Sequence, residues 1–336
     1  MKHGAGIYKV AKKLNCCEDE IIDFSSNINL YQPELKLKLS SKNLARYADS
    51  SYSNLKRTIS KKLSIKKSQI ALYNGATSAI FELLKHLKEK EVYLYAPLYG
   101  EYQKAAKQAD KSIYKINRFK NINAKVKKNS IVIFVNPSTP DGKYYDLEQL
   151  FTYWKKQNCI IIIDESFLEF QDLKSLVNQI KNYDKLYFIK SFTKFYACAG
   201  VRVGAILSQK ENIKKFKLPL WNLSTFDVSF LTHRLKDKEF ERRSKELHIK
   251  RKKELKNILK KSKLFTKVFK SDSNFFLTKS KESQAIYEYL LKQKILVRTC
   301  DSFTYLNKNY LRFAVKNRAA HSRLKSALED YSLHFG

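Results

Sequence analysis

The chain has 336 residues, 43% hydrophobic and 13% aromatic, enough for one large core and a smaller second one. Its 66 Lys and Arg against 32 Asp and Glu give a formal net charge of +34, a field suited to phosphorylated or polyanionic partners. No apolar run nears the roughly 18 residues of a membrane span, and the N-terminus lacks a continuous apolar segment. The five cysteines (Cys16, Cys17, Cys159, Cys198, Cys300) are scattered without a C-x-x-C pair. These features argue against membrane-spanning, secreted, disulfide-stapled and zinc-stapled classes, so a cytoplasmic protein with reduced thiols and no metal is expected.

In chain order, residues 1–35 are too short to fold alone and are expected to pack on the C-terminal unit. Residues 36–225 form the expected large unit. Within it, apolar spacing predicts a strand over 69–73 and a helix over 78–90, the latter from Ile80, Leu83, Leu84 and Leu87. There follow a strand at 92–97, a helix at 101–110, strands at 112–116 and 130–135, a helix at 146–157 and a strand at 159–164. A helix at 173–184 and strands at 185–190 and 203–208 complete it. "SIVIFV" and "CIIIID" are apolar throughout, as strands covered on both faces are. This alternation predicts an α/β fold with a mostly parallel sheet covered by helices.

Residues 226–336 read as a smaller α+β unit. A long basic helix contains "ERRSKELHIKRKKELKNILKKSK", with Leu247, Leu255, Ile258 and Leu259 on its apolar side. Then come "SNFFLTK", a helix at 282–293, "ILVRT", "YLRFAV" and a last helix at 317–331. The lysines are dispersed over such helix faces. No nucleic-acid motif with interleaved aromatics is present, so neither nucleic acid nor membrane is expected as a partner.

Ligands of open α/β sheets bind beyond the carboxyl ends of the strands. The residues found there are Asn74-Gly75-Ala76-Thr77, Pro97-Leu98-Tyr99, Asn136-Pro137, Asp164-Glu165 and Ser191-Phe192-Thr193-Lys194. A helix opening on Gly75-Ala76-Thr77 is a potential anion site. Asp164, ending a buried strand, is placed to pair with a cation or a protonated ring nitrogen. A lysine among other cations can lose its proton and serve in Schiff-base chemistry. A phosphate cradle, a carboxylate and an amine together fit pyridoxal phosphate. Taken singly, each has a plain structural reading as a turn, a cap or a helix start.

Four sets of residues resemble the fold-type I pyridoxal-phosphate aminotransferase superfamily over nearly the whole chain, the first three in order. "NPSTPDG" is similar to N-P-x-x-P-T-G, "IIIDESFLEF" to the D-E-A-[YF]-x-x-F strand end, and "SFTKFYACAGVRVG" to S-x-x-K…G-x-R-x-G. Asn136 to Asp164 is 28 residues, Asp164 to Lys194 is 30 and Lys194 to Arg202 is 8. The fourth, "HGAGIYKVAKKLN…IIDFSSNINL" with "ILVRTCDSF…YLRFAVKNR", resembles the threonine-phosphate decarboxylases of the histidinol-phosphate aminotransferase branch.

The resemblance implies a fold-type I transferase with pyridoxal 5′-phosphate as cofactor. Lys194 would bond the cofactor and move protons, Asp164 would pair with its ring nitrogen, and Asn136 would reach its phenolic oxygen. Tyr99 would stack on the ring. Gly75, Ala76, Thr77, Ser191 and Arg202 would hold its phosphate, with Gly200 and Gly204 allowing close backbone approach. Phe167 stands where aminotransferases usually carry a tyrosine. Tyr47 would reach the partner's site in a homodimer. His3, Asn27, Arg298 and Arg312 would bind the substrate, the two arginines taking a carboxylate and a phosphate. Lys190, read as the last residue of its strand, is structural.

The implied reaction is decarboxylation of an O-phospho-amino acid, phosphothreonine or phosphoserine, to an amino-alcohol phosphate. The alternative is an aminotransferase acting on a phosphorylated substrate such as histidinol phosphate or a triose-phosphate-like ketone. A third reading is a basic nucleic-acid-binding protein on a degenerate enzyme fold, which the intact Lys194, Asp164, Asn136 and Arg202 set opposes. Three departures stand out. Leu30 and Tyr31 replace a Pro-Leu at the expected substrate loop, Tyr47 lacks the following proline, and Asp141 stands where Thr is usual.

Overall fold

A computed structural model describes residues 6–35, 37 and 40–335. Seven strands, β2 (Ile70–Asn74), β3 (Glu91–Ala96), β4 (Ser112–Asn117), β5 (Ile131–Val135), β6 (Ile160–Asp164), β7 (Leu186–Ser191) and β8 (Val203–Leu207), form the main sheet. Their spatial order is β2-β8-β7-β6-β5-β3-β4. β8 is antiparallel to both β2 and β7, and every other pairing is parallel. Alternate residues of β5 and β6 feed opposite cores. Val132, Phe134, Ile161 and Ile163 pack on one face, and Ile131, Ile133, Ile160 and Ile162 on the other. That two-sided burial is the physical cause of their unbroken apolar sequence.

Before the main sheet come α1 (Ile7–Leu14), β1 (Ile22–Asp23), α2 (Ser41–Leu44) and α3 (Ser53–Leu63). The sheet is covered by α4 (Gly75–His86), α5 (Glu101–Gln108), α6 (Glu148–Lys156), α7 (Lys210–Ile213) and α8 (Thr225–Lys236), among other segments. The second unit contains α9 (Lys238–Lys261), β9 (Lys267–Val268), β10 (Phe275–Lys279), α10 (Ser283–Lys292) and β11 (Ile295–Leu296). It ends with β12 (Arg298–Thr299), β13 (Tyr310–Ala314) and α11 (Arg318–Phe335). Strands β12-β13-β10-β9 make a four-stranded antiparallel sheet.

The N-terminal segment adds to this unit. β1 pairs in parallel with β11, and Val10, Ala11 and Ile21 pack with Leu291 and Leu296. Phe230, Leu231, Leu235 and Phe240 lie in the same core as Tyr52 and Leu55, so by packing α8 belongs with the main sheet.

Four local expectations change. Residues 173–184 hold no α-helix, only a 3-10 turn at Val177–Lys181. Ser175 donates to both carboxylate oxygens of Glu165 and accepts from the Val177 N–H, which pins the segment to the end of β6 and leaves no room for a longer helix. α4 stops at His86, because Lys90 must already accept from the Ser112 N–H at the edge of the sheet. β7 runs one residue further than expected, with Ser191 opposite Gly204, so Lys190 is not its last residue. "ILVRT" is split, Ile295–Leu296 joining β1 and Arg298–Thr299 joining β13. Among the described residues no helix is long and apolar enough to cross a membrane.

Candidate active site

A cavity of about 350 Å³ opens beyond the carboxyl ends of the main sheet. It is lined from one side by Ala76, Thr77, Tyr99, Asp164, Lys194 and Arg202, and from the other by Ser25, Asn27, Arg298, Ser302 and Arg312. Four of the five strand ends named from the sequence thus supply lining residues, Asn136-Pro137 being the exception, and the two C-terminal arginines join them.

Gly75 opens α4 with φ +80°, and no side chain caps the N-terminus of that helix. That φ favours glycine, and a Cβ there would lie 2.6 Å from Arg202 Nη2 and displace the guanidinium from beside the N–H groups that open the helix. Gly204, on β8, is equally constrained, since a Cβ there would lie 2.3 Å from the Ala76 nitrogen. Gly200 meets nothing within 4 Å, which corrects the expectation of close approach there. Ser191 Oγ and Thr193 Oγ1 lie 2.9 Å apart at the same end of the cavity.

Asp164 is buried. Its Oδ1 accepts from the Ser166 N–H at 2.9 Å and from the Ser166 hydroxyl, and its Oδ2 accepts from the Tyr102 hydroxyl at 2.8 Å. Burial pushes its carboxyl up, opposed by those hydrogen bonds and by the charge of Lys190. Lys194 follows the end of β7 and faces the cavity. Burial pulls its ammonium down to about 8, and the charges of Arg202 and then Arg312 add to that effect. Tyr99 also lines the cavity, with its hydroxyl 3.4 Å from Thr77 Oγ1.

Lys190, four residues before Lys194, has the opposite fate. It is buried on an ion pair to Glu169 at 2.7 Å, with Glu165 at 3.5 Å, and these carboxylates push its pKa up against the pull of burial. This is a structural role.

Asn136 is buried but does not line the cavity. Its side chain accepts from the Tyr145 N–H and donates to the Tyr145 carbonyl, both at 2.9 Å, leaving one amide N–H for other use. Phe167 lines the cavity and packs edge-on against Phe275, with ring centroids 5.1 Å apart.

Arg298 and Arg312 are directly opposite each other on β12 and β13. Arg312 donates to the Ser25 carbonyl at 3.0 Å and to Thr139 Oγ1 at 3.2 Å, while its Nε is buried without a partner. Burial, reinforced by Arg298, brings its pKa down to about 10. Arg298 donates to Ser302 Oγ at 2.8 Å. Asn27 lines the cavity, and its carbonyl accepts from the Asn274 amide at 2.8 Å.

His3 lies outside the described residues. Tyr47 is exposed and stacked on Trp221 at 4.4 Å, away from this cavity. Leu30 and Tyr31, expected at the substrate pocket, do not line it. Leu30 packs in the second unit's core and Tyr31 against Phe240, so this departure lies behind the pocket wall.

Several site residues escaped the sequence reading. Tyr102 supports Asp164, and its position one helical turn after Tyr99 was the available signal. Asn29 donates from its main chain to the Lys194 carbonyl and from its amide to the Phe195 carbonyl. Thr139 and Ser302 lay inside the quoted stretches "NPSTPDG" and "ILVRTCDSF" without being singled out.

Residues 19–329 match the family described as aminotransferase class I and II. The chain is 32% identical to the adenosylcobalamin biosynthesis bifunctional protein CobDQ of Leptospira interrogans, over 98% of this chain but only 41% of that protein's length. It is 24% identical to a histidinol-phosphate aminotransferase of Methanosphaera stadtmanae, over 96% of this chain and 93% of the relative. The threonine-phosphate decarboxylase of Salmonella typhimurium is also 24% identical, over 98% and 96%. Among solved structures, a Clostridium acetobutylicum histidinol-phosphate aminotransferase superposes with a TM-score of 0.81 at 29% identity, covering 94% of this chain and all of that one. A Sinorhizobium meliloti histidinol-phosphate aminotransferase in complex with pyridoxal-5′-phosphate gives 0.85 at 16% identity, covering 99% and 96%.

Proposed function

Because the chain belongs to the aminotransferase class I and II family, and so works with pyridoxal 5′-phosphate, we propose that it decarboxylates an O-phospho-amino acid, phosphothreonine or phosphoserine, to an amino-alcohol phosphate. The carrying observation is the charge of the cavity. Arg298 and Arg312 face each other on adjacent strands, Arg202 and Lys194 stand nearby, and Asp164 is the one carboxylate among the described lining residues. Like charges opposite each other in a sheet destabilise it. This arrangement suits a ligand with two anionic groups beyond the cofactor's own phosphate.

The residues present fit the cofactor. The glycine-lined start of α4, with Arg202 against it, is a phosphate cradle that any Cβ at position 75 would fill. Ala76, Thr77 and Ser191 would complete it. Asp164, held by three hydrogen bonds, would keep a ring nitrogen protonated, and Tyr99 would lie against the ring. The spare amide N–H of Asn136 would reach the phenolic oxygen, a task that Phe167, without a hydroxyl, cannot share. When bound, the cofactor supplies an electron sink for the bonds at the substrate α-carbon.

The protein's own contribution is orientation and proton handling. Lys194, with its pKa drawn down to about 8, is neutral in about a tenth of molecules at pH 7, far more often than an ordinary lysine, and can act as nucleophile and as base. Arg312, the substrate arginine whose charge acts on Lys194, would take the carboxylate, and Arg298 with Ser302 the phosphate. Gripping both ends decides which α-carbon bond stands perpendicular to the ring, and that choice separates decarboxylation from amino transfer. His3 and Asn27 are proposed for the same pocket. Tyr47 is proposed to reach the cofactor site of a second copy in a homodimer.

The deciding experiment incubates the holoenzyme with phosphothreonine and with phosphoserine. Carbon dioxide release with a new phosphorus resonance for the amino-alcohol phosphate is expected. Conversion of the cofactor to its amine form without carbon dioxide assigns the aminotransferase activity instead.

A further inference from the structure

Arg118 follows the edge strand β4 and carries a buried guanidinium outside the cavity lining. Its charge is met by Asp141, with Nη1 to Oδ2 at 3.0 Å and Nη2 to Oδ1 at 2.5 Å, in the bidentate geometry that arginine favours. The remaining donors go to the Pro97 carbonyl at 3.1 and 3.3 Å, the Thr139 carbonyl at 3.3 Å and the Tyr145 hydroxyl at 2.9 Å. Asp141 also accepts from Ser138 Oγ at 2.8 Å. A buried guanidinium without a counter-ion is strongly destabilising, so the aspartate in "NPSTPDG", where the family motif carries threonine, is its partner.

The groups tied to Arg118 reach either the cavity lining or Asn136. Pro97 is two residues before Tyr99. Thr139 accepts from Arg312 through its hydroxyl. Tyr145 clamps the Asn136 amide through its main chain. One side chain therefore fixes the relative positions of the loops after β3 and β5, on which a cofactor ring contact, a cofactor hydrogen bond and a substrate arginine all depend.

We propose that Arg118, neutralised by Asp141, is a positioning residue that sets the register between the cofactor contacts Tyr99 and Asn136 and the substrate contact Arg312. The inference rests on the cavity's assignment to pyridoxal phosphate and an anionic amino acid. It does not depend on which bond is broken.

The test compares three variants of the holoenzyme: Arg118→Met, Asp141→Asn and the double variant Arg118→Met/Asp141→Thr. Thermal melting, pyridoxal-phosphate affinity by absorbance titration, and KM and kcat are measured for each. The single Arg118→Met variant strands a buried carboxylate and melts lowest. The double variant removes both charges and regains most of the melting temperature. Its cofactor affinity falls about tenfold and its KM rises about tenfold, with kcat falling less, because sub-ångström misplacement acts on binding geometry. The Asp141→Asn variant, which keeps shape but leaves the Arg118 guanidinium buried without its counter-ion, melts below the parent and shifts KM in the same direction. Double and Asp141→Asn variants with cofactor affinity and KM within twofold of the parent reduce Arg118 to a stabilising ion pair and overturn the proposal. Release of carbon dioxide or its absence in the parent bears only on the reaction, so the two failures are distinguishable.

Discussion

The two ends of the cavity are built by different means. At the proposed cofactor end, Asp164, Ser191, Gly204 and the start of α4 follow from adjacent strands of one sheet, their positions set by ladder hydrogen bonds. At the proposed substrate end, Ser25, Thr139 and Arg312 come from three distant stretches joined by side-chain bonds, Arg312 to Ser25 and Arg312 to Thr139. The first end is a property of secondary structure and the second of docking between units. Substitutions at the first should abolish chemistry or cofactor binding, and substitutions at the second should weaken substrate binding.

The largest expected effect is at the cofactor end. Lys194→Ala lowers turnover by roughly 10⁴-fold or more and removes the visible cofactor band near ~420 nm. Lys190→Met serves as the contrast four residues away. It leaves the buried Glu165 and the half-buried Glu169 without their cation and destabilises the fold by about 3–5 kcal/mol, while the folded fraction keeps the band. Equal loss of the band in both variants at full folding would sink the distinction between the two lysines.

Next comes the substrate end. Arg312→Met raises KM for the phospho-amino acid about 100-fold, and Arg298→Met about tenfold, with cofactor affinity nearly unchanged in both. Arg312 has the larger expected effect because it also ties Ser25 and Thr139 together and its charge acts on Lys194. Loss of cofactor binding in Arg298→Met would erase the division between the two ends.

A smaller effect separates two glycines of the same motif. Gly204→Ala forces the start of α4 to move and weakens cofactor binding by about tenfold, whereas Gly200→Ala has open space and changes nothing measurable.

The smallest effect is a pH signature of the cofactor-free protein. The Lys194 pKa falls from 10.5 to about 8 on folding, so the unfolded chain binds more protons between those values. The native state bears the full penalty below about pH 8 and is relieved of it as pH rises toward 10.5. A Lys194→Met variant should therefore melt above the parent at pH 7, with the gap closing by pH 10.5. A gap that stays constant with pH would place Lys194 in water rather than in a cavity of cations.

Much of this molecule was legible before folding. Apolar runs at 131–135 and 160–164 announced strands covered on both faces, and the polar residues after them marked the cofactor end. Lys190 and Lys194 were separable by position, the first read as the last residue of a strand and the second as lying past its end, where such sheets face ligands, although the strand runs one residue further. Asp141 was visible only as a departure. Its partner Arg118 lies 23 residues earlier on another loop, and no local periodicity links them. Tyr31 looked like a pocket substitution, yet it turns onto Phe240 because its neighbour Asn29 is tied down to the Lys194 turn. The missing helix at 173–184 had the right apolar spacing, but Ser175 found a better partner in Glu165 than in its own turn. By itself, then, the sequence determined the sheet, which residues follow its strand ends and the family, since these rest on local pattern and short spacing. Only the tertiary structure decided which cations are paired, which loops are tied together and which residues reach the cavity, because those depend on contacts between segments that the chain brings together only by folding.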